Sequence, residues 1–185
     1  MKIIGLDLAG NEERITGFCL LTEEIEDICE LKTNEEIIKK VDDMKPDVVV
    51  IDAPLSFPNK GNWRQAEYEL NNKKIKFYPP KGLVEVEKLV LRAIALKEHF
   101  SSKGFLVIEV HSGASYDILK MPRKNNYMEI KRLLKIYGLL VPRRDYSQVE
   151  LDAIMAAFTG LLFLEAKVEF LGDEDEGQIV VPKVK

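Results

Sequence analysis

The run Asp47-Val48-Val49-Val50-Ile51-Asp52-Ala53-Pro54 constrains the fold more than any other segment. Four consecutive β-branched apolar residues cannot alternate between core and solvent. Residues 47–53 are therefore expected to form a strand covered on both faces, in the interior of a largely parallel sheet. Proline has no amide proton for the ladder, so the strand stops at Pro54 and leaves Asp52 at its carboxyl end.

The remaining segments arrange themselves around that strand. Residues 2–8 (KIIGLDL), 15–21 (ITGFCLL) and 25–31 (IEDICEL) read as strands, with Thr22-Glu23-Glu24 as a hairpin turn. Residues 34–44 form an amphipathic helix whose Thr33 and Glu36 fit a capping box. A helical piece near 63–70 interrupts the irregular stretch 54–83. Residues 84–102 form a long helix, and 105–110 (FLVIEV) a further buried strand. Shorter helices follow near 115–121 and 127–137, then a nearly charge-free helix over 148–165 and a hairpin over 167–182. A three-strand antiparallel meander followed by strand–helix–strand units implies an α/β fold. The expected sheet is mixed and five-stranded, with strands 1–3 antiparallel, strands 4 and 5 parallel, helices on both faces and a C-terminal β-hairpin apart from it.

At 185 residues with 46% apolar side chains, the chain can bury one core, and no linker divides it. It reads as one domain over 1–185, carrying a proline-rich excursion at 54–83. The longest uncharged apolar stretch, Ala153 to Leu164, is too short to span a bilayer. The acid at position 7 argues against a signal peptide. Cys19 and Cys29 share parity on adjacent strands and can face each other, but two cysteines make no disulfide framework. A cytoplasmic protein with reduced cysteines is expected.

Three aspartates stand out. Asp7 and Asp52 each end an apolar strand. If those strands are parallel neighbours, both acids leave the sheet at its carboxyl edge, where open α/β sheets place their ligands. Taken singly, each reads rather as a loop cap or as a partner of Arg14 or a lysine. Asp152 shifts the balance. Ser147 and Glu150 fit a capping box, and Asp152 in the next turn is the one charged residue between Leu151 and Leu164. Ala156, Thr159 and Gly160 continue its face with small residues, as close packing on a sheet requires. Neighbouring carboxylates repel unless a cation binds them, and hard oxygen donors suit Mg²⁺ or Mn²⁺. Two histidines and two cysteines make zinc a poor choice. Glu109 reads either as a fourth member of this site or as a structural acid bonded to loop amides. His111 reads as a proton shuttle, a phosphate-positioning group or an ordinary structural histidine.

The net charge of −4 hides a segregated distribution. Residues 54–83 carry six Lys/Arg against two acids, and residues 120–144 carry eight against one, so the rest of the chain totals −15. Basic groups meet phosphates, and exposed aromatics stack on bases. The first segment supplies Lys60, Arg64, Lys73, Lys74, Lys76 and Lys81 together with Trp63, Tyr68, Phe77 and Tyr78, placed to cover the acids as a lid. The alternative is a packed excursion with Tyr68 and Phe77 in the core. The second segment supplies Arg123, Lys124, Lys131, Lys135, Arg143 and Arg144. With Arg14, these are the expected contacts to DNA or RNA, through backbone or shape rather than sequence. The acids Asp173 to Glu176 read as solvated charge at a hairpin tip. A homodimer is compatible with the sequence and not required by it.

These residues carry a resemblance. Gly5-Leu6-Asp7-Leu8-Ala9-Gly10, Arg14 with Thr16-Gly17, Ile51-Asp52-Ala53-Pro54-Leu55, Glu109-Val110-His111, Leu151-Asp152-Ala153 and Gly177-Gln178-Ile179-Val180-Val181-Pro182 together cover nearly the whole chain. They resemble a family catalogued as domain of unknown function 429, described as nucleases of ribonuclease H-like fold. More distantly, the chain is similar to RuvC-type Holliday junction resolvases. The resemblance implies phosphodiester hydrolysis with Asp7, Asp52 and Asp152 holding Mg²⁺ or Mn²⁺. Ribonuclease H carries a glutamate on its first helix; here Glu35 and Glu36 lie there, with Glu36 already accounted for as a cap, and the last helix offers one well-placed acid where resolvases often carry two. Two other classes remain open. One is a nucleic-acid-binding protein without hydrolytic activity. The other is an ATP-binding relative of actin and the sugar kinases, which lacks support in the glycine pattern.

Overall fold

A computed structural model describes residues 1–184. Strands β1 (Ile3–Asp7), β2 (Thr16–Leu21) and β3 (Ile25–Leu31) form the antiparallel meander. Helix α1 (Asn34–Met44), capped by Thr33 and Glu36, leads into β4 (Val48–Asp52), which lies parallel to β1. Helix α2 (Gln65–Asn72) sits within the excursion, and α3 (Val84–Ser102) crosses to β5 (Leu106–Val110), parallel to β4. The chain continues through α4 (Ser112–Ile118), α5 (Tyr127–Ile136) and α6 (Gln148–Leu164), then ends in β6 (Val168–Asp173) and β7 (Gly177–Pro182). Helix α4 thus begins directly after β5, three residues earlier than its sequence suggested.

The β6–β7 hairpin does not stand apart. β7 pairs in parallel with β5, at Glu109–Ile179 and Val110–Val180, so the sheet has seven strands in the order β3-β2-β1-β4-β5-β7-β6. Ile179, Val180 and Val181 are all buried, the same unalternating signature that marked β4. Leu171, Ile179 and Val181 then form a floor on which Ala66 and Leu70 of α2 pack, which anchors the excursion to the sheet.

Strand parity divides the core. Ile3, Val48, Val50 and Ile108 face α6, with α4 and α5 beyond it. Ile4, Leu6, Val49 and Ile51 face α1 and α3. Every apolar side chain of β4 is fully buried, each contributing about 2 kcal/mol by removal from water.

Helix α6 lies directly on the sheet because glycines make room for it. A methyl group on Gly5 would overlap the Ala153 carbonyl oxygen and the Ala157 amide nitrogen, and one on Gly17 would overlap the Val149 carbonyl. Gly160 packs the other way, its Cα against Val50 and Ile3. Of the small residues read from the sequence, Gly160 is at this contact, together with Ala153 and Ala157, while Thr159 turns to Ser115 of α4.

The two cysteines are on opposite faces. Leu21 pairs with Ile25, but a bulge between Leu20 and Leu21 shifts the register so that Cys29 opposes Phe18 and Cys19 opposes Ile28. One extra residue flips every later side chain to the other face. Both thiols are free.

Candidate metal centre and nucleic-acid interface

Asp7 and Asp52 end adjacent parallel strands and stand directly opposite each other in the register. Their parity places both on the α6 face, since Ile3 and Val50 of the same sets pack there. The glycine contact brings Asp152, in the second turn of α6, over the same edge. All three line one cleft of about 380 Å³ at the carboxyl end of the sheet, with His111, Arg123 and Lys124 among its other walls.

Electrostatics ties the three together. Burial raises the Asp7 pKa well above its ordinary value, and the charges of Asp52 and then Asp152 raise it further. Burial likewise lifts Asp152 to about 6, against the hydrogen bonds that Gln148 and Tyr116 donate to it. Tyr116 Oη and Gln148 Nε2 each lie 2.8 Å from Asp152 Oδ1. Asp52 Oδ2 accepts from the Ser112 amide at 3.1 Å, so the first residue of α4 fixes its orientation. Sequence reasoning missed Tyr116 and Ser112. It missed Gln148 too, although the spacing of four residues before Asp152 on one helix is a signal that points to it.

His111 sits between two acceptors. Its Nε2 donates to the Lys76 carbonyl at 3.0 Å, and its Nδ1 faces Asp52 Oδ1 at 3.7 Å, an ion-pair distance. Burial alone would lower its pKa, but the Asp52 carboxylate outweighs burial and raises it. The shift favours the protonated imidazole beside Asp52.

The donor set is three carboxylates, with hard oxygen chemistry and mutual repulsion that a divalent cation would relieve. It is not a closed chelate in this arrangement. Among the described residues, no group of three or more His, Cys, Asp or Glu is drawn tightly enough to hold an ion.

Glu109 also lines this cleft, but both of its carboxylate oxygens are engaged by Arg64. It pairs in register with Ile51, and its parity turns it to the α3 face, away from Asp7 and Asp52. There it meets Arg64, whose Nη1 lies 2.8 Å from Glu109 Oε2 and whose Nη2 lies 2.5 Å from Oε1. The Leu55 amide also donates to Glu109 Oε2 at 2.7 Å. Arg64 is fully buried and bonds Glu67 and Ser56 as well, so it cannot meet a phosphate at the surface as its composition suggested. Burial works against its charge, but the two glutamates hold its pKa above the ordinary guanidinium range. This cluster pins the start of the excursion behind Asp52. The supposedly solvated tip does so too, since Glu176 accepts from the amides of Asn59 and Gln65, at 2.7 and 3.1 Å, and caps α2.

Comparison of the whole structure with solved structures decides the architecture. The chain is similar to Thermus thermophilus RuvC in complex with a Holliday junction substrate, with a TM-score of 0.58 and 12% identity over 90% of this chain and 96% of that one. It is also similar to a second Thermus thermophilus RuvC structure, with a TM-score of 0.53 and 13% identity over the same shares. The fold is ribonuclease H-like. No family model matches the chain, and no curated protein matches it in sequence.

On this ribonuclease H-like frame the basic candidates separate. Arg14 is exposed beside a groove that Asp7 and Gly10 also line. Arg123 and Lys124 are on the wall of the carboxylate cleft, with Arg123 also paired to Asp117. Lys60, Lys74, Lys135 and Arg143 are exposed, and Lys131 lies over the Tyr127 ring. Lys73 is turned to Glu169 on β6, at 2.9 Å. Arg144 is committed to Glu150, the Ile28 carbonyl and the face of Tyr146. Tyr68, expected in the core by one reading, is 53% exposed, whereas Phe77 packs partly into the α2 cluster. No helix is long and apolar enough to cross a membrane among the described residues.

Proposed function

We propose that this protein is a metal-dependent nuclease that hydrolyses phosphodiester bonds of DNA or RNA. The observation that carries the reading is the placement of Asp7, Asp52 and Asp152, on β1, β4 and α6, around one cleft at the carboxyl edge of the sheet. Asp7, Asp52 and Asp152 would hold Mg²⁺ or Mn²⁺, which when bound acidifies a water and stabilises charge on phosphoryl oxygens. Tyr116 and Gln148 hold Asp152 in place, and the Ser112 amide holds Asp52. Arg123 and Lys124, which line the same cleft, and His111 beside Asp52 would offset the charge of an entering phosphate. The likeness of the Asp7, Asp52 and Asp152 motifs to those of ribonuclease H-like nucleases supports the same reading. So does the Holliday junction bound by the Thermus thermophilus neighbour, which makes nucleic acid the favoured partner.

A second reading is a nucleic-acid-binding protein on the same frame without hydrolytic activity. It draws on the open arrangement of the acids and the commitment of Asp152 Oδ1 to Tyr116 and Gln148. Cleavage assays with Mg²⁺ and Mn²⁺ on branched DNA, single strands, RNA–DNA hybrids and RNA separate the two. A nuclease loses about 100-fold or more of its rate on Asp7→Asn or Asp152→Asn, the scale of removing a group that stabilises transition-state charge. Cleavage that persists unchanged in both variants, or no cleavage of any substrate, overturns the nuclease reading.

A further inference from the structure

Beside the carboxylate cleft lies a second hollow of about 750 Å³, walled by Trp63, Phe77, Tyr78 and Pro79. Phe77, Tyr78, His111 and Arg123 line both spaces, so the two adjoin. Trp63 meets Phe77 edge to face at 5.0 Å between centroids and Tyr68 at 5.2 Å. Tyr78 stands out from this cluster, 76% exposed, although a ring of that size normally contributes to stability by being covered. Lys74, Lys76 and Arg123 border the hollow, and among the described residues no acid lines it.

The hollow is built into the site. The Lys76 carbonyl, one residue before Phe77, accepts from both His111 Nε2 at 3.0 Å and Arg123 Nη2 at 3.1 Å. The segment bearing the aromatic rings is thereby fastened to the neighbour of Asp52 and to the cleft wall. A cluster of aromatic faces bordered by cations and adjoining the carboxylate cleft matches one ligand group, a nucleobase turned out of its stack. A base inside a continuous duplex has both faces covered and cannot enter.

We propose that the hollow between Trp63, Phe77 and Tyr78 is a subsite for an unstacked nucleobase. This chain would then engage strands that carry an unpaired nucleotide next to the phosphate at the carboxylates. The proposal extends the nuclease reading but is tested by binding alone.

The chain has one tryptophan, and it is in the hollow, so its emission reports occupancy directly. Titrations of the full chain, in chelator and again in Ca²⁺, use single-stranded DNA, single-stranded RNA, a continuous duplex and the same duplex with one unpaired nucleotide. Single strands and the interrupted duplex are expected to change Trp63 emission, and Tyr78→Ala to weaken their binding roughly tenfold, the scale of one base–aromatic stack. Tyr78→Phe should retain binding, and the continuous duplex should be indifferent to either change. The DNA and RNA arms show which strand the subsite takes. Unchanged Trp63 emission at saturation, or equal affinity of Tyr78→Ala and the original chain for every ligand, overturns the subsite. Emission changes that follow the expected pattern in a protein that cleaves nothing would uphold the subsite while removing the nuclease reading.

Discussion

Asp7 and Asp52 face each other across adjacent parallel strands in direct register, both on the side covered by α6. Two carboxylates so placed, with Asp152 above them, are an electrostatic fault in the metal-free fold. No cation is among the leading influences on Asp7, and burial with both neighbours raises its pKa. Carboxylates perturbed in this way cluster at functional sites.

A pH dependence follows for the metal-free protein. The Asp152 pKa is raised to about 6 in the fold, so the folded chain keeps a proton that the unfolded chain has already released. Stability is therefore highest below about pH 4 on this group's account and falls as pH rises toward about 6, levelling above it. Denaturant titrations in chelator across that range should show the fall, on the order of 2 kcal/mol. Asp152→Asn, neutral throughout and still able to accept from Tyr116, should remove this group's share and leave the fall that the raised pKa of Asp7 contributes. A variant with the same pH profile as the original chain would contradict the raised pKa.

Gly5→Ala tests the seating of α6. The added methyl meets helix backbone at Ala153 and Ala157, which cannot swing aside as a side chain tip does. A loss of about 3 kcal/mol or more is expected by chemical denaturation, at the upper end of overpacking costs. Because the same contact sets Asp152 over Asp7, cleavage per folded molecule should fall as well. A neutral substitution would mean that α6 does not rest on β1.

Arg64 and Glu109 are expected to matter for the fold and not for phosphate contact. Arg64→Met leaves Glu109 and Glu67 buried without their cation and should cost roughly 3 to 5 kcal/mol, measured by denaturation. Near the folding limit, the milder Glu109→Gln keeps the shape and should leave nucleic-acid affinity of the folded fraction unchanged. A selective loss of affinity without loss of stability would return these residues to the binding surface.

Much of this was legible in the sequence, for identifiable reasons. The unbroken Val48–Ile51 run, the Thr33–Glu36 and Ser147–Glu150 caps, and the lone charge of Asp152 in an apolar helix are local signals, and each element formed where they pointed. What escaped were relationships set by pairing at a distance. The joining of β7 to β5 made seven strands from an expected five. The β2–β3 bulge parted Cys19 from Cys29, and the parity of β5 turned Glu109 away from the aspartates. Arg64 lay in an irregular, lysine-rich stretch whose composition read as surface. Only the location of its two glutamate partners shows that it is interior.

The most direct measurement is the anomalous scattering of Mn²⁺ in crystals of the protein grown or soaked with the ion. Manganese is expected in the cleft, bound by carboxylate oxygens of Asp7 and Asp52 with Asp152 beside it, and absent from crystals of Asp7→Asn. Crystals of the original chain with no manganese among these three aspartates, at concentrations that load other carboxylate sites, would contradict the metal centre and with it the hydrolytic function.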